Sequence, residues 1–133
     1  MVSYFWVGLG GALGSILRFW LSLLISRQFG EVFPLGILAI NVIGSFVIGI
    51  LTAFTNPDGP LQPSSRIFAT QFLMIGLCGG FTTFSSFSRD TLRLLQDRQW
   101  LFAGGNVILS LVLCLLAVWA GYLLGTLATH QKQ

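Results

Sequence analysis

The segment that decides the fold is Gly76-Leu77-Cys78-Gly79-Gly80-Phe81-Thr82-Thr83-Phe84-Ser85-Ser86-Phe87-Ser88. It lies within an uncharged stretch, residues 67–88, that is long enough to cross a bilayer as a helix. A membrane-spanning helix keeps its backbone groups paired, because an unpaired amide in hydrocarbon costs several kcal/mol. Here two adjacent glycines, which permit a break, precede hydroxyl and phenylalanine side chains. A break frees backbone groups that bind ions, so we expect a broken helix in an ion pathway.

Composition places the chain among integral membrane proteins. It has 133 residues, of which 54% are hydrophobic and 8% charged, whereas about 25% are charged in a soluble domain. Four apolar stretches are each long enough for a transmembrane helix, namely residues 3–26, 33–55, 67–88 and 101–129. The N-terminus lacks a basic leader and a cleavage site, so we expect the first stretch to remain as a helix. The sequence predicts one all-α domain, residues 1–133, with four transmembrane helices in the cell membrane.

The basic residues are nearly balanced between the two predicted faces of the membrane. Arg66 and Lys132 lie on one face, whereas Arg27, Arg93 and Arg98 lie on the other. Because orientation normally follows an excess of Lys and Arg in cytoplasmic loops, this balance predicts insertion in both orientations. A net charge of +3 without a basic stripe gives no indication of nucleic-acid binding.

Pairs of small residues one turn apart occur in all four predicted helices. Such pairs let helix backbones approach closely, either within one subunit or between subunits. The pairs are Gly10/Gly14, Ser45/Gly49, Gly76/Gly80 and Gly121/Gly125. Together with the balanced charges, they favour a compact, antiparallel dimer.

Polar residues in the predicted spans are candidates for a pathway. Arg18 either snorkels or caps a helix end, or is a fixed positive charge near a pore mouth that raises the local anion concentration. A carboxamide at mid-span needs partners, so Asn41 either bonds across helices or faces a dehydrated anion. Asn106, Ser110 and Cys114 share one face of the fourth span. That spacing favours a polar track along a pathway over hydrogen bonds between helices.

The aromatic residues after the predicted break are the most specific chemical signal. Phenylalanine usually packs in a core, but the edge of its ring is positive and holds an anion without a formal charge. Phe84 and Phe87 share a helix face, and the neighbouring hydroxyls are hydrogen-bond donors; these belong to Thr82, Thr83, Ser85 and Ser86. Because the four predicted spans contain no Asp or Glu, a small anion fits this lining better than a proton or a metal cation.

Three stretches of the chain carry a resemblance to a known family: Gly10-Gly11-Ala12-Leu13-Gly14-Ser15-Ile16-Leu17-Arg18, Asn41-Val42-Ile43-Gly44-Ser45-Phe46 and Gly79-Gly80-Phe81-Thr82-Thr83-Phe84-Ser85-Ser86-Phe87-Ser88. They are similar to the Fluc (CrcB) fluoride channels, and the similarity extends over nearly the whole chain. It implies an antiparallel, dual-topology homodimer with two pores, through which fluoride leaves the cell passively. It also implies a structural sodium ion at the dimer centre, not transported, which the main-chain carbonyls of Gly79 and Thr82 bind.

The resemblance assigns roles to further residues. The expected fluoride pore comprises Asn41, Phe84, Phe87, Ser110, Thr83, Ser86, Asn106 and Cys114. We expect Arg18 and Asp90 in the pore vestibule. Where many relatives have Ser-Ala-Glu, this chain has Ser88-Arg89-Asp90, and Cys114 replaces what is often a serine, which makes it a weaker donor.

Three other functions fit the sequence less well. A small multidrug transporter needs an embedded carboxylate for proton exchange, but the only charge in the predicted spans is Arg18. A non-transporting assembly subunit leaves the dense pattern of Phe, Ser and Thr unexplained. An enzyme is the least favoured, because the single histidine, His130, lies in the tail and no nucleophile–base set is visible.

Overall fold

The computed structural model describes residues 2–30 and 32–130, and every regular element in these ranges is helical. The α-helices are α1 (Val2–Phe29), α2 (Leu35–Thr55), α3 (Pro63–Phe68), α4 (Gly79–Phe81), α5 (Phe84–Gln96) and α6 (Trp100–His130). A π-helical segment, Ala69–Cys78, joins α3 to α4. Lys132, one of the residues in the charge comparison above, lies outside the described residues.

Four helical stretches are long and apolar enough to cross a membrane: Val2–Phe29, Leu35–Thr55, Pro63–Gln96 and Trp100–Thr129. They confirm the prediction of an all-α, multi-pass membrane protein. The third span is longer than residues 67–88 at both ends. It starts at Pro63, which suits the first turn of a helix because no N–H is needed there. It continues past Ser88 because α5 is amphipathic, with Leu94 buried and Arg89 and Arg93 exposed.

Glycines make two close helix crossings within the subunit. The first joins α1 to the third span, where a Cβ on Gly14 would meet the carbonyl oxygen of Leu77. The second joins α2 to α6, where a Cβ on Gly121 would meet the carbonyl oxygen of Phe46. Of the two possibilities that the sequence left open, these residues therefore form contacts within one subunit. The glycine pairs carry no information on a dimer.

The opposite surface of α6 is apolar and exposed. Large side chains stand out from the subunit along the whole helix, among them Leu101, Trp119 and Leu127. Exposed apolar residues of this kind are unfavourable in water, but they are the normal surface of a helix in contact with lipid tails. Asn106, Ser110 and Cys114 of α6 lie on the side that faces α2 and α5, next to the candidate site.

Candidate functional site

Two residues with extended backbone, Thr82 and Thr83, separate α4 from α5. Their φ and ψ angles are −78° and 157° for Thr82, and −155° and 114° for Thr83. Thr83 is the N-cap of α5, since its hydroxyl accepts a hydrogen bond from the Ser86 N–H at 3.2 Å. Gly79 keeps helical angles, φ −63° and ψ −38°. The helix is therefore interrupted at the two threonines, after the glycines on which the sequence argument rested.

Gly80 packs against α1, as its pairing with Gly76 in the sequence allows, and it does not belong to the extended segment. A Cβ on Gly80 would lie 2.5 Å from the carbonyl oxygen of Gly11, a distance that no side chain tolerates. The absence of a side chain at Gly80 is thus needed for the helix crossing. The extended conformation is adopted by Thr82 and Thr83, which are β-branched residues that favour it.

Asn41 of α2 binds the extended segment through both ends of its carboxamide. Its Oδ1 accepts a hydrogen bond from the Thr83 N–H at 2.8 Å, and its Nδ2 donates to the Thr83 carbonyl oxygen at 3.1 Å. In a continuous α-helix, the Thr83 N–H would bond to the carbonyl of Gly79. Asn41 therefore replaces the hydrogen bond that the helix loses. Its Nδ2 carries a second hydrogen, which has no acceptor in the described part of the chain.

Arg18 lies beside the same segment. Its Nη1 is 3.5 Å from the carbonyl oxygen of Thr82, at the long limit for a hydrogen bond. The N–H and the hydroxyl of Thr82 both donate to the Cys78 carbonyl at 2.9 Å. The predicted vestibule arginine is thus placed next to one of the two carbonyls that the family resemblance assigned to sodium.

A cavity of about 610 Å³ lies between α2, the extended segment, α5 and α6. Six of the predicted pore residues line it: Asn41, Thr83, Phe84, Phe87, Ser110 and Cys114. No Asp, Glu, Lys or Arg is among its lining residues. The helices thus bring together an amide, two hydroxyl groups, a thiol and two aromatic rings that are scattered over the sequence.

The two phenylalanine rings of the cavity lie side by side on α5. Their centroids are 5.3 Å apart, and the ring planes are inclined by 45°. Phe87 is half-buried, but the Phe84 side chain is 78% exposed. A ring with so little contact contributes little to the core of a single subunit. Packing within one subunit therefore does not explain why residue 84 is a phenylalanine.

The three residues of the polar stripe on α6 have different surroundings. Ser110 is buried, and its Oγ has no hydrogen-bond partner in the described part of the chain. Cys114, one turn later, is half-buried in the cavity wall. Asn106 lies outside the wall and donates from Nδ2 to Thr91 Oγ1 at 2.8 Å; Thr91 in turn donates to the Phe87 carbonyl at 2.8 Å. Asn106 thus joins α6 to α5.

Ser86 and Asp90 also lie outside the cavity wall. The Thr83 hydroxyl donates to Ser86 Oγ at 3.1 Å, so Ser86 supports the N-terminus of α5. The buried carboxylate of Asp90 forms an ion pair with the exposed Arg89, whose Nε and Nη2 donate to Asp90 Oδ1 at 3.1 and 2.9 Å. The neighbouring arginine thus compensates the charge of Asp90.

Sequence reasoning missed two groups of residues. Ser45 lines the cavity, and its position four residues after Asn41 on one helix face could have indicated this. The second group is the aliphatic part of the wall. The sequence could not identify these residues, because they resemble ordinary lipid-facing residues; they are Ile48, Val107, Leu111 and Leu115.

Comparison with known proteins places the chain in a family. The model of the CrcB-like protein, Camphor Resistance (CrcB) family matches residues 5–122. The chain belongs to the CrcB family. This confirms the resemblance found in the sequence, and the CrcB match includes every residue of the cavity wall.

Similar CrcB proteins have the same name in three bacteria. A protein of Opitutus terrae is 52% identical over 92% of both chains, and one of Rhodospirillum rubrum is 51% identical over 91% of this chain and 92% of its own. A protein of Methylocella silvestris is 45% identical over 98% of both chains. Each of the three is named fluoride-specific ion channel FluC.

Proposed function

We propose that this protein is a fluoride-specific ion channel through which fluoride leaves the cell passively. The observation that supports the proposal most directly is the cavity wall, which combines hydrogen-bond donors and aromatic rings without a charged side chain. The names of the CrcB relatives, which are 45–52% identical to this chain, support the choice of fluoride.

The donors suit a small anion that has lost its water. Fluoride is strongly hydrated, so a selective path must replace its hydration shell with other donors. Ser110 contributes a hydroxyl without a protein partner, and Asn41 contributes its second amide hydrogen. The edges of Phe84 and Phe87 contribute a positive potential without a full charge, which favours passage over tight binding.

We propose an antiparallel, dual-topology homodimer with two pores as the working state. The exposed Phe84 ring and the cavity beside it are not enclosed within one subunit. A second copy that covers this side would complete the wall of the path. Apart from Arg89, which is paired with Asp90, the basic residues are nearly balanced between the two faces, and this supports insertion in both orientations.

The chemistry of the extended segment fits the proposed sodium ion, which would be structural and not transported. Because the Thr83 N–H bonds to Asn41, it does not bond to the Gly79 carbonyl, the partner it would have in a continuous helix. Neutral carbonyl oxygens are hard donors, and Gly79 and Thr82 of two subunits supply four. Arg18 must turn away from the Thr82 carbonyl if sodium is bound there, because both are cations. Bound sodium would supply a fixed positive charge at the centre of the dimer.

Two alternative functions have less support. A drug transporter driven by protons needs a carboxylate on its path, whereas Asp90 is paired with Arg89 outside the cavity wall. A purely structural subunit has no need for a cavity whose wall includes a serine with a buried, unpaired hydroxyl.

Efflux from liposomes tests the proposed function. Purified protein is reconstituted into vesicles that hold both fluoride and chloride, and ion-selective electrodes follow each anion. We expect fluoride to be released rapidly, while chloride is released at the rate of protein-free vesicles. Comparable release of both anions, or no release of fluoride, contradicts the proposal.

A further inference from the structure

The two cysteines of the chain have different access to the cavity. Cys114 of α6 is half-buried and lines the wall. Cys78 is 4% exposed, lies at the end of the π-helical segment, and is not a lining residue. Both thiols are free. Each molecule therefore contains a candidate thiol in the cavity and a buried thiol that serves as an internal reference.

The wall next to Cys114 is built to contact an occupant. Ser110 lies one helical turn before Cys114 on the same face, and it is only 9% exposed. Its Oγ has no partner among the described residues, and a buried hydroxyl without a hydrogen bond is unfavourable by about 1–3 kcal/mol. If the Ser110 side chain rotates toward the cavity, its hydroxyl can donate to a molecule there, which relieves this cost and places that molecule beside the Cys114 sulfur.

The rest of the wall selects the kind of molecule that can reach the thiol. Aliphatic and aromatic side chains dominate it, with Leu111 and Leu115 directly adjacent to Ser110 and Cys114 in sequence. A charged reagent would lose its hydration on entry without gaining a counter-charge. A small uncharged reagent with a hydrogen-bond acceptor suits both the apolar wall and the free hydroxyl of Ser110.

We propose that Cys114 is a covalent modification site for small uncharged thiosulfonates and disulfides that enter the cavity. In the reaction with methyl methanethiosulfonate, the Cys114 thiol loses its proton to water and the sulfur attacks the sulfenyl sulfur of the reagent. A new S–S bond forms, the S–SO₂ bond breaks, and methanesulfinate leaves with the electron pair. An added thiol reductant reverses the modification by thiol–disulfide exchange.

The modification closes the fluoride path, a consequence that rests on the proposed function. The added methylthio group projects from α6 into the space that Phe84 and Phe87 line from α5. It replaces the thiol with an apolar group that donates no hydrogen bond. Fluoride that passes Cys114 would no longer receive a hydrogen bond from the thiol, and the passage there would be narrower.

The test treats the folded protein in liposomes with methyl methanethiosulfonate. It is applied to the wild type and to Cys78→Ser, Cys114→Ser and the double variant. Intact-mass and peptide mass spectrometry identify the modified residue, and fluoride efflux is compared with that of the same protein before treatment. We expect one methylthio group on Cys114 in the wild type and in Cys78→Ser, with loss of most of their efflux. A reductant should restore it, whereas Cys114→Ser should gain no group and keep its own initial rate.

The other results overturn either the modification site or its consequence for the fluoride path. Modification of Cys78 alone, or no modification of the folded protein when the denatured protein reacts at both thiols, shows that Cys114 is not accessible. A methylthio group on Cys114 with unchanged efflux shows that the cavity wall at this level does not contact the path. If the untreated protein releases no fluoride, the proposed function fails, while the mass measurement still decides whether Cys114 is a modification site.

Discussion

The helices α2 and α6 lie side by side, but their packing differs between two positions along their length. At one level, Gly49 and Gly121 bring the two backbones into direct contact, and a Cβ on either would meet a carbonyl oxygen of the other helix. Toward the N-terminal end of each helix the same pair is separated by the cavity, with Asn41 and Ser110 in its wall. Polar side chains thus face the space between these helices at the level where they separate. The glycine contact fixes the spacing of the pair, and the space beside the contact accommodates the polar groups.

The largest expected effect comes from breaking the glycine contact. In Gly121→Ala, the new methyl group would meet the Phe46 carbonyl, which is backbone and can move only if α2 moves. We expect the free energy of unfolding to fall by about 1–3 kcal/mol, with loss of fluoride efflux. The measurements are denaturation in detergent micelles and liposome efflux. Gly104→Ala on the same helix is the control, because a Cβ there has no atom within 4 Å. Equal stability of the two variants contradicts the interpretation of the contact.

The second effect concerns the part of α2 beside the cavity, where Asn41 forms hydrogen bonds with the extended segment. In Asn41→Asp, one oxygen still accepts the Thr83 N–H bond, but the other cannot donate to the Thr83 carbonyl. A carboxylate also places a negative charge in the cavity wall, where it repels fluoride. We expect efflux to be lost while the protein still folds, as judged by circular dichroism and gel filtration. Asn41→Ala removes both bonds, and we expect it to be less stable than Asn41→Asp. Normal efflux in either variant would show that Asn41 is dispensable.

The third effect separates anion contact from packing at the aromatic rings. Phe84→Ile and Phe87→Ile keep an apolar side chain but remove the positive ring edge. We expect both variants to fold with a change in stability below about 1.5 kcal/mol and to lose most of their fluoride efflux. The control is Phe19→Ile on α1, whose ring is 67% exposed and is not a lining residue of the cavity. Wild-type efflux in the two α5 variants would indicate that Phe84 and Phe87 contribute only to packing.

The smallest effect is expected at Ser110. Because its hydroxyl is buried without a partner, removing it in Ser110→Ala should leave stability unchanged or raise it by about 1 kcal/mol. Efflux should fall, since the path loses a donor. A drop in stability would indicate that the hydroxyl has a partner in the assembled protein. Unchanged efflux would indicate that Ser110 does not contact the fluoride path.

The sequence predicted the four spans well because their apolar length alone determines them. It predicted the end of the third span poorly, because Arg89 and Arg93 interrupt the apolar run although they lie on the exposed side of an amphipathic helix. It also attributed the break to Gly79 and Gly80. The structure uses Gly80 for contact with α1, and that contact depends on a residue, Gly11, nearly 70 positions earlier in the chain.

Helical spacing was an incomplete guide to the site. Asn106, Ser110 and Cys114 share one face, yet Asn106 bonds to Thr91 of α5 while the Ser110 hydroxyl has no partner in the described residues. The periodicity of one helix indicates which residues lie in a row, but the partner of each is set by a different helix. For the same reason a bond from Asn41 to another helix was left as one of two alternatives, and its partner Thr83, 42 residues away, was not predicted.

The bond between Asn41 and Thr83 also has a consequence for how the chain assembles. The extended segment lacks a hydrogen bond that its own helix would provide, and a side chain of α2 provides it instead. An unpaired amide is costly in hydrocarbon, so the extended segment of the third span is stable only once α2 is beside it. Because α2 comes earlier in the chain, Asn41 leaves the ribosome before Thr83 does. The order of synthesis thus supplies the partner before it is needed.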